Sequence, residues 1–185
     1  MLLDRFKESP KDKVVIIITI IGLAIVLLTY VLIFMPIEAS VPTYGILDYE
    51  FAWTPDKVET IFSIWGSDGI NRQTSAIYWD FLYIVGYVSL ALGLILLVLR
   101  RLEGKIHTIG LYFTLTPFLT GIFDVIENIN LLIMLGTPTQ ISPINPLLAS
   151  LFALIKFSVL FAAIGYFLIA LILLVINRIK KHENK

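Results

Sequence analysis

Apolar residues in this chain come in long runs rather than in the alternation of a half-buried strand or the stripe of a soluble helix. The first uncharged run covers 14–35, follows Lys11 and Lys13, and is closed in sequence by Pro36. At about 1.5 Å per residue such a run crosses roughly 30 Å of hydrocarbon. Three further runs cover about 77–99, 106–135 and 147–176. Arg100-Arg101 ends the second, and Gly136-Thr137-Pro138, Pro143 and Pro146 separate the third from the fourth. The pattern predicts an all-α polytopic membrane protein, a four-transmembrane-helix bundle forming one membrane domain. A cleaved signal peptide would carry a shorter apolar region than 14–35, so this run is read as a true span.

Between the first two runs, residues 36–76 are too many for a structureless connection. Thr54-Pro55-Asp56 reads as an N-cap, a first-turn proline and an acid that suits the helix dipole. Val58, Ile61, Phe62 and Trp65 then recur at helical spacing, and Gly66 reads as a stop. A short extracytoplasmic helix is therefore predicted here, with its apolar face on the bundle. Trp53, Trp65 and Trp79 are expected at the headgroup level, where indoles favour the interface.

Composition agrees with a lipid solvent: 58% of residues are hydrophobic and the mean hydropathy is +0.89. The fourteen basic and fourteen acidic residues cancel, but their distribution carries the information. Arg5, Lys7, Lys11 and Lys13 precede the first run; Arg100, Arg101 and Lys105 lie between the second and third; Arg178, Lys180, Lys181 and Lys185 end the chain. The positive-inside rule puts these segments, and both termini, in the cytoplasm of a cell membrane. The loop 36–76 holds only Lys57 and Arg72 against Glu38, Asp48, Glu50, Asp56, Glu59 and Asp68, and is expected outside. The basic tail suits anionic lipid headgroups better than nucleic acid. With no cysteine there is neither a disulfide nor a thiolate metal site. No phosphate loop, nucleophile triad or zinc spacing is present, and no metal or cofactor is implied.

The candidate chemistry lies inside the runs. Thr120, Asp124, Glu127 and Asn128 share one stripe of the third helix. Ionisable groups at that depth face protein or water rather than acyl chains. Glu127 lies roughly 12 Å along the helix from the outward end, and Lys156 in the fourth run lies at a similar depth. Pairing Lys156 with Glu127 or Asp124 offsets the burial of each. Asp80, with Tyr83 and Tyr87 following on its own face, completes a predicted ligand-binding set in the outer half of the bundle. The plain alternative is polar glue between helices. Three acids against one base favour a site completed by a proton, a cation or a polar molecule.

The run 47–53, Thr54-Pro55, Ile64-Trp65-Gly66, Asp80-Phe81-Leu82-Tyr83 and Asp124-Val125-Ile126-Glu127-Asn128 together resemble a family of uncharacterised prokaryotic four-span membrane proteins. The likeness covers roughly residues 45–135; it implies the four-span architecture and the same polar residues, and no activity. In layout alone the chain is similar to the EXPERA group, which includes the emopamil-binding sterol isomerase and the sigma-two receptor. That similarity implies an apolar cavity under an ordered first loop; the isomerase's histidine has no counterpart here.

Three functions follow as expectations. The first is binding of a lipid-like or small polar ligand, or a proton, by Asp80, Tyr83, Tyr87, Thr120, Asp124, Glu127, Asn128 and Lys156. The second is an accessory subunit docking into a larger membrane complex or a homo-oligomer. The third is a membrane-embedded acid/base enzyme of isomerase type, without a metal.

Overall fold

The computed structural model describes residues 2–41 and 43–183; Lys185, counted above in the basic tail, lies outside them. The described residues form helices and no strand. Four stretches are long and apolar enough to cross a membrane: Asp12–Ser40, Pro55–Leu99, Gly104–Gly136 and Ile144–Lys180.

The first stretch comprises α1 (Asp12–Thr29), a π-helical turn (Tyr30–Phe34) and α2 (Met35–Ser40). Pro36 was expected to end this run, yet the helix continues through it. A proline lacks the N–H that would bond four residues back, and its ring crowds that carbonyl. The wider π turn immediately before it relieves both problems.

A strap then follows, containing the short helix α3 (Ile46–Glu50), whose Asp48 side chain accepts from the Gly45 N–H at 2.9 Å. The chain turns back at Trp53, a bulky residue held at φ 60. From there α4 (Pro55–Leu99) starts on the expected cap, with Thr54 Oγ1 accepting from Lys57 N at 3.4 Å. The separate short helix anticipated before Gly66 is the first arm of this 45-residue helix. Gly66, at φ 62 and ψ −176, is non-helical, and two helical arms meet there at a kink. Residues 67–76, expected as loop, are helical because Ile70, Gln73, Ala76 and Ile77 keep one face on the bundle. The apolar face of the first arm does pack inward: Val58, Ile61, Phe62 and Trp65 are buried with Tyr49, Leu131 and Met134. Trp65 is thus a core residue, donating from Nε1 to Tyr44 O at 2.8 Å, rather than a headgroup anchor.

The third stretch, anticipated as one helix, is α5 (Gly104–Phe113) and α6 (Thr116–Gly136). Pro117 cannot donate to Phe113 O, and the Thr116 hydroxyl takes that acceptor at 2.8 Å. Thr114, fully buried, donates to Leu111 O at 2.6 Å. The last stretch is α7 (Ile144–Glu183), a single helix of 40 residues.

The helices pack as α1 on α4, α4 on α6 and α6 on α7, with α4 also touching α7. Toward the termini this packing is close: a side chain on Gly22 would meet Gly86 O at 2.6 Å and Leu90 N at 2.7 Å. Arg100 ties that end, donating to Phe6 O at 2.9 Å and to Asp12 at 2.8 Å. At the opposite end, under the strap, the helices diverge. α1 and α7 lie on either side of the bundle without packing on each other.

Candidate functional site

The divergence leaves a cavity of about 390 Å³. Its floor is one face of α4, with Gln73, Asp80, Tyr83 and Tyr87 facing Thr120, Asp124 and Asn128 of α6. Tyr30 and Phe34 from the π turn form one wall, and Lys156, Phe157 and Leu160 of α7 form the other. Leu47 and Glu50 of α3 close it from the strap.

Helical spacing explains the convergence. Residues 73, 80, 83 and 87 repeat by threes and fours on α4, and 120, 124, 127 and 128 do so on α6, so each set projects from a single face. The α6 set is buried throughout, as the stripe required. Tyr87 OH donates to Asp124 Oδ2 at 2.8 Å, and Asn128 Nδ2 donates to Asp80 Oδ2 at 2.6 Å. Thr120 Oγ1 bonds its own helix at Thr116 O, 3.0 Å away, while its side chain reaches the cavity wall. Tyr83 stands edge-on to Tyr87 and to Phe34.

Lys156 carries the centre of the arrangement. Its Nζ donates to Asp124 Oδ1 at 2.9 Å and lies 2.7 Å from Glu127 Oε2 and 3.6 Å from Glu50 Oε2. The Glu127 contact is an ion pair outside hydrogen-bond alignment, since neither Glu127 oxygen has an aligned donor. The depth match between Glu127 and Lys156 is therefore realised as direct contact. Glu127 itself is fully enclosed and sits behind the cavity wall rather than in it.

Among the cavity residues outside the predicted set are Glu50 and Gln73. Glu50 was counted only as part of an acidic loop, but the strap delivers it to Lys156. Three hydrogen bonds hold it there: Tyr49 OH donates to Leu131 O at 2.8 Å, Ser150 Oγ to Glu50 O at 2.7 Å, and Trp53 N to Ser150 Oγ at 3.0 Å. Burial pushes the Glu50 carboxyl up from its ordinary value; Lys156 opposes the shift and Asp124 adds to it. The signal for Glu50 was its place in the motif 47–53; nothing in the spacing gave its partner. Gln73 was assigned to loop, and is 2% exposed on the cavity floor.

Three carboxyls thus surround one ammonium, with a fourth, Asp80, on the same cavity, and each further ionised acid is unfavourable where water is scarce. Among the described residues no three His, Cys, Asp or Glu side chains are arranged to hold a metal ion. No family model, curated protein or solved structure matches the chain.

Proposed function

We propose that this is a multi-pass membrane protein with both termini cytoplasmic, whose strap-covered cavity binds a lipid-like or small polar ligand. The observation that carries the reading is an apolar-walled cavity with an acid-rich polar floor, the composition of a small-molecule site. Insertion in a bilayer is supported by the outer surface, where Ile17, Leu32 and Phe161 are more than half exposed along with many other large apolar residues. The accessory-subunit reading has less support, because the charges that would dock are turned onto one another inside the bundle.

Two experiments test this. Because the chain has no cysteine, Asp48→Cys and Glu103→Cys each give a clean single label site. Membrane-impermeant maleimide should label the first on intact cells and the second only after lysis; the reverse pattern overturns the orientation. Native mass spectrometry of the gently solubilised protein should find a bound small molecule that is depleted in Ala76→Phe, which puts a ring into the cavity. A ligand-free parent protein, or equal occupancy in the variant, overturns the binding reading.

A further inference from the structure

The cavity's unsatisfied groups define the charge of what it holds. Lys156 already faces three carboxyls, Glu50, Asp124 and Glu127, so an incoming anion that approached it would also meet those acids. Asp80 receives one hydrogen bond, from neutral Asn128, and no ion pair. Gln73, nearly two turns before Asp80 on the same face of α4, is 98% buried against the cavity with no side-chain hydrogen-bond partner. An amide that lines a cavity without a bond to the protein can donate to and accept from a ligand there. At the rim, Glu38 adds a further acid. The remaining surface is aromatic and aliphatic: Tyr30, Phe34, Tyr83, Phe157 and Leu160.

We propose that the ligand is a cationic amphiphile, with a protonated amine head at Asp80, a further polar group reaching the Gln73 amide nearly two turns away, and an apolar chain leaving between the π turn and α7. This deepens the ligand-binding reading above and rests on it. The ammonium supplies the counter-charge that Asp80 lacks, and Tyr83, one turn further along α4, lines the same cavity. A phosphate or carboxylate head would meet only acids and an already engaged lysine. The chain's exit follows from the packing: the π turn and α7 supply opposite walls and do not pack closely on each other, which places the exit in the gap between them. The π turn sits in that wall, a position in keeping with the placement of such turns at functional sites.

The test compares three probes of equal chain length on the full protein in a non-ionic detergent at neutral pH: dodecylamine, dodecan-1-ol and dodecanoate. Binding is read as saturable thermal stabilisation, each variant against its own unliganded midpoint. Dodecylamine should bind tightest, and Asp80→Asn should weaken it about thirtyfold or more, the loss expected when one side of a desolvated charge pair is removed. Unchanged amine binding in that variant overturns the inference, and the ranking of the three probes serves alone if it does not fold. Equal or tighter binding of the alcohol or the dodecanoate, abolished by Ala76→Phe, overturns the amine while sparing the ligand site. Failure of all three probes removes the site itself.

Discussion

The two halves of this bundle solve the same packing problem in opposite ways. Toward the termini, α1 and α4 approach until Gly22 touches the backbone of Gly86 and Leu90. Around them Val15, Leu96, Leu99 and Leu111 form one apolar cluster, and Ile95, Ala163, Tyr166 and Ala170 another. Under the strap, the same α4 and α6 hold acids and amides around a cavity, and α7 supplies the one base, Lys156. Close apolar packing has a single solution and resists change. A cluster of four acids and one base is stable only while every member keeps its neighbours, so that half is where sensitivity to protons, charge and ligand should concentrate.

The largest expected effect is in the polar half. Lys156→Met leaves Glu50, Asp124 and Glu127 without a counter-charge and should cost about 3–5 kcal/mol, seen as a lowered thermal midpoint. Adding Asp124→Asn and Glu127→Gln to that variant should recover much of the loss. An unchanged midpoint in the single variant would show that the ammonium does not hold the cluster.

Next comes the apolar half, where Gly22→Val drives methyl groups into backbone atoms that cannot rotate away. Overpacking of this kind should cost about 1–3 kcal/mol, with ligand affinity at the far end unchanged. A large loss of binding in that variant would mean that the halves are mechanically coupled.

Smaller again is Ser150→Ala, which removes both bonds between α7 and the strap, each contributing on the order of 1 kcal/mol. Hydrogen exchange should rise in residues 43–54 and stay constant in α1. Equal protection with and without the hydroxyl would remove Ser150 as the pin.

The smallest effect is a pH slope. Glu50 has an ordinary value near 4.5, and burial raises it in the folded protein. The folded state therefore holds this proton more tightly than the unfolded chain. The associated stability is present below about pH 4.5 and is lost as pH rises through the elevated folded value. Glu50→Gln should flatten that part of the curve of thermal midpoint against pH; an unaltered curve would assign the slope elsewhere.

Much of this was legible along the chain. Apolar length determined four helical stretches long enough to cross a bilayer, because hydrocarbon thickness sets a length that composition alone can meet. The Thr54-Pro55 start of α4, its end before Arg100, and the buried stripe Thr120, Asp124, Glu127 and Asn128 followed from capping and helical period, which act within one or two turns. Those local rules misled at Pro36, which read as a stop although a π turn carries the helix through it, while at Gly66 one helical arm breaks and another resumes directly after it.

What only the tertiary structure decided is where distant segments meet. Spacing showed that Lys156 and Glu127 share a depth, but not that Glu50, 106 positions before Lys156 in the chain, would be brought down to join them. Nor did polar residues such as Gln73 announce a helix, since their placement depends on the face of α4 being held against α6. Periodicity constrains a side chain relative to its own helix axis; the rotation of one helix against another, and the strap that covers them, is settled by packing across the whole bundle.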